Sequence, residues 1–494
     1  MSSHERQGNP PSLRLALISL FSLIIGIGIS IAIFGLAPHL PMLFGVTVAS
    51  IVALYCGYNW NAIQNGMITG ITHALGSIII LLLVGILIGT WILGGVVPTL
   101  VYYGLQIFSP SVFLLVCAVI CAIASSATGT SWGTTGTIGV ALMGVGAGLG
   151  IPLPWVAGAV LSGAYFGDKM SPLSDTTNMA PAMVGVDLYV HIRHMASTTG
   201  LAFAISLIIY AVVGMIYTPE TTDTSRINSI LDMLQSTFVI HPLLLVPPFL
   251  VMILSFRKIP AVPGIAIGAI AGLVCAMMVQ GADYATTMSA AMSGYVAETG
   301  NADVDSLLSR GGLESMTYTV SLIIVAMMFG GVMQATGQIQ VIANAILSYA
   351  RSTGSLILTT ALTAIGSNFL LCDQYMSLVM TGRMYGTAYR DQGLAPENLS
   401  RVTEDAGTVV DPLVPWGSGG AYQSATLGVP TILYAPFAVF CWISPLVTIL
   451  FGYTGWTIKP LEEPSVTPVN ELTAEAVSST STVPSEKPKV AEPV

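Results

Sequence analysis

Apolar runs of bilayer length recur between Leu13 and Gly452, separated by short polar breaks. A helix needs ~20 predominantly apolar residues to cross the hydrocarbon core, and many of these runs approach or exceed that length; the alternating strand pattern of a membrane β-barrel is missing. With 53% hydrophobic and only 8% charged residues, against about 25% charged in soluble domains, the chain reads as an all-α polytopic membrane protein whose main partner is the lipid bilayer. The first run, Leu13 to Ala37, is about twice the length of a signal-peptide core and lacks a convincing cleavage site, so it is expected to stay as the first span.

Two stretches violate the apolar pattern. Gly163 to Pro181 reads GAYFGDKMSPLSDTTNMAP, and Ser400 to Gly420 reads SRVTEDAGTVVDPLVPWGSGG. Backbone can leave the helix at membrane depth only where protein or a water-filled cavity satisfies it, and a carboxylate there costs at least ~2.5–3.5 kcal/mol on insertion scales. Such breaks mark a substrate or ion site, and the two are expected to form halves of one.

The chain carries an internal repeat. Pro260 and Pro263 stand to Pro38 and Pro41 at one offset, and Gly330 aligns with Gly89 without a gap over the third span. That register brings Ser126 onto Ser367 and, with four residues of slack, Asp168 onto Asp405. The expected layout is a cytoplasmic N-terminus over 1–12, a first repeat over 13–217, an external linker over 218–237, a second repeat over 238–452 and a cytoplasmic tail over 453–494. Each repeat holds about five transmembrane helices plus a re-entrant hairpin and a broken helix. Spans are expected at 13–37, 39–57, 75–98, 198–217, 240–256, 259–279, 316–337 and 429–452, with hairpins at 111–150 and 353–390. Broken helices are expected over 153–190 and from Arg401. Arg193, Arg257, Lys258, Arg383 and Arg390 then fall on the inner side, as the positive-inside rule requires, and the odd number of crossings per repeat gives the repeats inverted topology. The tail from Pro460, rich in Pro, Ser, Thr and Glu, reads as disordered.

Inverted repeats whose broken helices meet at the midplane are the architecture of secondary transporters. The candidate ion- and proton-exchange residues are Asp168, Asp405, Asp175 and Asp373, with Glu404 and Asp411 as further acids. Thr130, Ser131, Thr134, Thr176, Asn178 and Ser367 offer additional oxygen ligands of the kind hard cations prefer. Lys169 is either a fixed counter-ion to Asp168 or itself a carrier of the displaced proton. In a low dielectric one carboxylate can be neutralised by a proton or by a cation, and competition for that group suffices for antiport. Asp168 and Asp405, from pseudo-equivalent places in the repeats, are the expected exchanging pair.

Other features read as structural. The six cysteines lie in or beside apolar runs without metal or redox spacing, as buried inert thiols do. His191 and His194 read as interfacial residues. No basic patch suggests nucleic acid.

GDKMSPLSDTTNMAP at 167–181, ATGTSWGTTGT at 127–137 and EDAG with DPLVPWGSGGA at 404–421 resemble the NhaC-type sodium/proton antiporters of the ion-transporter superfamily, over about residues 13–455. The resemblance implies a bacterial inner-membrane carrier, with scaffold and transport domains, a homodimeric assembly and an elevator-like motion. No cofactor is implied beyond the transported Na+ and H+. The family also includes malate/sodium-lactate exchangers, so a small organic acid is an alternative substrate. An intramembrane aspartyl protease also places two acids in membrane helices, but the GxGD-type presentation of the catalytic acid is absent. A channel is disfavoured by the doubly interrupted repeats.

Overall fold

The computed structural model describes residues 8–34, 36–216, 224–257 and 259–461. Residues 1–7 and the tail from 462 lie outside the described residues. Among those described, all regular structure is helical apart from two isolated bridges, Tyr295 with Arg310 and Leu394 with Pro460. Six helices are long and apolar enough to cross a membrane, and two bent pairs raise the number to eight.

In the first half, α1 (Leu13–Gly28) and α2 (His39–Tyr55) lead into α3 (Trp60–Leu93) and the short α4 (Val96–Ile107). Next come α5 (Pro110–Thr128), then α6 (Ser131–Thr134), which runs through a π turn, Thr135–Gly139, into α7 (Val140–Gly148). The interrupted stretch becomes α8 (Leu153–Met170) and α9 (Asp175–Val184), followed by α10 (Leu188–Ile216). A connecting region holds α11 (Thr224–Thr237) and α12 (Val246–Phe256). The second half has α13 (Ala261–Met278), α14 (Tyr284–Ser293), α15 (Ala302–Leu308), α16 (Thr317–Ala335) and α17 (Gln338–Leu347). It continues with α18 (Thr353–Leu371), α19 (Gln374–Asp391) and α20 (Pro396–Thr403), which passes into a π turn at Glu404–Thr408. The last elements are α21 (Ser418–Leu427), α22 (Thr431–Tyr434) and α23 (Val439–Thr454).

The repeat is visible in element boundaries. α18, α19, α20, α21 and α22 each begin 243 residues after α5, α6, α8, α9 and α10. Left-handed residues follow the same spacing, Cys372 after Gly129 and Gly428 after Gly185. The four residues of slack are therefore not needed. This register pairs Asp168 with Asp411 rather than Asp405, which falls opposite Ser162, and it sets Ser367 opposite Ala124.

Three boundaries differ from expectation. The third span begins at Trp60 instead of residue 75, because the Asn59 side chain accepts the Ala62 amide at 2.8 Å and starts the helix early. At 34 residues it is roughly 50 Å long, more than the ~30 Å hydrocarbon core, so it must tilt or protrude. The second difference is α10, continuous from Leu188, where the Asp187 carboxylate accepts the Tyr189 and Val190 amides at 2.9 and 3.1 Å. His191 and His194 are both packed inside the fold: both are buried, and His191 Nδ1 is 2.9 Å from Ser400 Oγ on α20. Third, the linker and the segment between the spans expected at 259–279 and 316–337 carry helices of their own, α11, α14 and α15.

Glycines set two close seams. Between α3 and α16, a Cβ on Gly70 would lie 2.2 Å from the Met327 carbonyl oxygen, and one on Gly331 2.2 Å from that of Gly66. Between α5 and α8, a Cβ on Gly163 would lie 2.1 Å from the Ala118 oxygen, and one on Gly167 2.3 Å from that of Ala122. Small residues of this kind let membrane helices approach backbone to backbone. The six cysteines are free; Cys117, Cys121, Cys372 and Cys441 are buried and Cys56 and Cys275 half-buried.

Candidate ion-exchange site

The last turn of α8 and the π turn after α20 bring the two interrupted stretches together. α8 ends at Met170 before a proline-containing turn, and α9 restarts at Asp175 with Ser174 as its cap, its Oγ accepting the Thr177 amide at 3.4 Å. Thr177 Oγ1 donates to the Lys169 carbonyl at 3.0 Å, tying α9 to the end of α8. A π turn widens the helix by one residue and is frequent at functional sites; here it presents Glu404 and Asp405.

At the centre Lys169 Nζ pairs with Asp405 Oδ1, both side chains fully buried. Ser444 Oγ lies 3.3 Å from Nζ and donates to the same carboxylate oxygen at 3.2 Å. Oδ2 accepts Thr198 Oγ1 at 2.9 Å and Thr448 Oγ1. Asp405 is thus enclosed by one cation and three hydroxyls from α10 and α23. A second cation, Arg401, sits one turn earlier and is also buried; Nη1 donates to Thr457 Oγ1 at 2.8 Å while Nε and Nη2 have no hydrogen-bond partner.

Asp168, next to Lys169 in sequence, is differently placed. Its Oδ2 accepts Ser131 Oγ from the start of α6 at 2.7 Å, and it is only 6% exposed. Glu404 is fully buried, and neither carboxylate oxygen has a hydrogen-bond partner. It lies within electrostatic reach of Asp168 and Lys169, beside the Thr176 hydroxyl. Asp168 and Glu404 are therefore buried acids without a dedicated cation.

The other acids form a second group at the corresponding break. Asp373 caps α19, accepting the Met376 amide at 3.0 Å, and Ser418 Oγ lies 3.5 Å from it. Asp411 rests on the first turn of α21, so close that a Cβ on Gly419 would lie 1.7 Å from Oδ2. A helix N-terminus favours negative charge there. Tyr375 stands within electrostatic reach of Asp168, Asp175, Asp373 and Asp411, and joins the two groups.

Several expected ligands go elsewhere. Asp175 is exposed on the first turn of α9. Asn178, also exposed, donates through Nδ2 to the Pro172 and Ser174 carbonyls at 2.9 and 2.7 Å, bracing the turn between α8 and α9. Thr176 is buried, 3.1 Å from Ser174 Oγ. Thr130 caps α6 through the Gly133 amide at 3.1 Å and, with Thr134, lines a narrow crevice against α12 and α13. Ser367 is buried on α18, and its neighbour Asn368 donates Nδ2 to the Gly407 carbonyl at the π turn. Thr198, Ser444, Thr448, Arg401 and Tyr375 escaped the sequence reading as site residues. Isolated hydroxyls in otherwise apolar helices are the one signal that could have found the first three.

Among the described residues, no three His, Cys, Asp or Glu side chains converge as ligands for a metal ion. The arrangement offers a hard cation the buried carboxylates of Asp168, Glu404 and Asp411, none of them in an ion pair among the described residues, and several hydroxyl oxygens, with a separate Lys169–Asp405 pair beside them.

The sequence profile of the Na+/H+ antiporter family matches residues 163–456. The Na(+)/H(+) antiporter NhaC of Alkalihalophilus pseudofirmus is 44% identical over 85% of this chain and 90% of its own. The malate-2H(+)/Na(+)-lactate antiporter of Bacillus subtilis is 40% identical, covering 88% and 95%. The arginine/ornithine antiporter ArcD of Halobacterium salinarum is 36% identical, covering 93% and 95%.

Proposed function

This chain belongs to the Na+/H+ antiporter family, and from that premise we propose that it exchanges cytoplasmic Na+ for external H+ by alternating access, with Asp168 and Glu404 as the exchanging carboxylates. The observation that carries the assignment is the contrast between neighbours. Asp405 has Lys169 and three hydroxyls. Glu404 has no hydrogen-bond partner and Asp168 accepts from Ser131 and Ser174, and among the described residues neither has an ion pair. A buried carboxylate without a counter-charge costs several kcal/mol, so each of these two must take up a proton or a cation. Competition between Na+ and H+ for the same oxygens follows. Lys169 serves as the fixed counter-ion of Asp405, not as the proton carrier.

The reading extends to a bacterial inner-membrane carrier with both termini cytoplasmic, two inverted repeats, a homodimeric assembly and no enzymatic activity. The repeated element boundaries and the lysine and arginine bias support the inverted topology. Purified protein in liposomes with an internal pH dye tests the exchange. Sodium pulses alone should drive proton movement in the natural chain and not in Asp168→Asn. A signal that requires malate or lactate on one side would instead identify a carboxylate exchanger in which Na+ is a coupled ion.

A further inference from the structure

A cavity of about 510 Å3 lies between the loop that follows α14 and the C-terminal end of α21. Its lining includes Arg310, the polar residues Tyr295, Ser309 and Thr426, and the apolar Ile88 and Met316. We propose that this cavity is a binding site for a small monocarboxylate anion, gripped by the Arg310 guanidinium.

Among the described residues Arg310 has no ion pair and no side-chain hydrogen bond, and it is only partly exposed. Its guanidinium faces Gly428, the left-handed residue that ends α21, so a Cβ there would lie 3.6 Å from Nη1. The negative end of the helix dipole favours a cation at that point, but supplies none of the five N–H groups with an acceptor. A partly desolvated guanidinium without a carboxylate invites one, and its planar fork matches a carboxylate with two parallel hydrogen bonds. The hydroxyls complete the grip. Thr426 Oγ1 is buried and unpartnered, and Ser309 Oγ already accepts the Ala297 amide at 2.9 Å, leaving its proton to donate.

The ligand class follows from charge and shape. Arg310 is the one cation among the lining residues, so a single negative charge is neutralised and a dianion is not. The volume lies within the range of small-molecule sites, and Ile88 and Met316 give the carbon skeleton an apolar surface. Sodium is repelled by the same cation. The ten residues of α21 separate Gly428 from the acids at its first turn, about 15 Å of helix. Neither Asp168 nor Glu404 lines the cavity.

Isothermal titration of the purified full-length chain with propionate, at constant Na+ and ionic strength, tests the site, with sulfate as the dianion comparison. Saturable propionate binding is expected, weakened about tenfold to a hundredfold in Arg310→Gln and only partly restored in Arg310→Lys. Sodium-driven proton movement by Arg310→Gln in liposomes verifies that the variant is folded; should it fail to fold, Thr426→Val is expected to weaken propionate binding in its place. Absence of saturable binding by the natural chain overturns the proposal. So does equal affinity in Arg310→Gln or, if that variant does not fold, in Thr426→Val, and so does sulfate binding as tightly as propionate.

Discussion

Lys169 and Asp405, 236 residues apart in the chain, meet as a fully buried ion pair, and Ser444 bonds to both partners. Removing one member of such a pair leaves an uncompensated charge and costs about 3–5 kcal/mol, whereas replacing both by apolar groups is often neutral. Lys169→Met alone should therefore lower the thermal unfolding midpoint in detergent markedly. Lys169→Met with Asp405→Leu should recover most of it. If the double variant is no more stable than the single one, the pair does not act as a self-contained structural unit.

Glu404 and Asp405 are adjacent in sequence yet differently partnered: Asp405 pairs with Lys169, whereas neither Glu404 oxygen has a hydrogen-bond partner. Glu404→Gln and Asp168→Asn should each abolish sodium-driven proton movement while leaving the amount of folded protein near normal, because neither acid has a fixed cation to strand. Thr448→Val, which removes one donor from Asp405, should retain exchange and lose about 1–3 kcal/mol of stability. Full exchange by Glu404→Gln would exclude it as an exchanging group.

The seam between α3 and α16 leaves no room for a methyl group at Gly70, where the nearest atom is a backbone oxygen. Gly70→Ala should separate the helices and destabilise the fold by about 1–3 kcal/mol. Gly76 on the same helix has no atom within 4 Å of a Cβ, so Gly76→Ala should be neutral or slightly stabilising. Equal melting temperatures for the two variants would contradict the packing argument.

On α15, Asp305 Oδ1 accepts both the hydroxyl and the amide of Thr299 at 2.7 Å, and these bonds hold its carboxyl below the usual range. A depressed folded-state value means the local stabilisation is fully present above the unfolded value of about 3.9 and is lost as pH falls through the folded one. Hydrogen exchange at the Thr299 amide, corrected for intrinsic rates, should lose protection on acidification in the natural chain. In Asp305→Asn that pH dependence should vanish.

The sequence made the breaks legible, because carboxylates, prolines and hydroxyls inside apolar runs have few structural uses. Asp168, Lys169, Glu404 and Asp405 could be named from it for that reason. The partition of roles among them could not. Whether an acid is exchanging or fixed depends on Thr198, Ser444 and Thr448, which come from distant helices and look individually like ordinary membrane hydroxyls. The repeat was legible as well, but its register through the breaks was not. π turns and a short 3-10 turn alter the residue count per helical turn there, so aligning acid with acid paired Asp168 with Asp405, where the element boundaries pair it with Asp411. The early start of α3 was hidden because its cap is a lone Asn59.

The glycine seam of α5 and α8 has a mechanical consequence. Helices seated backbone on backbone at Gly163 and Gly167 cannot slip past each other by a residue without driving a Cβ into a carbonyl oxygen. The pair therefore acts as one stiff strut. Asp168 and Lys169 follow directly on Gly167 and are anchored to its end, so any displacement of Asp168 must carry the strut with it.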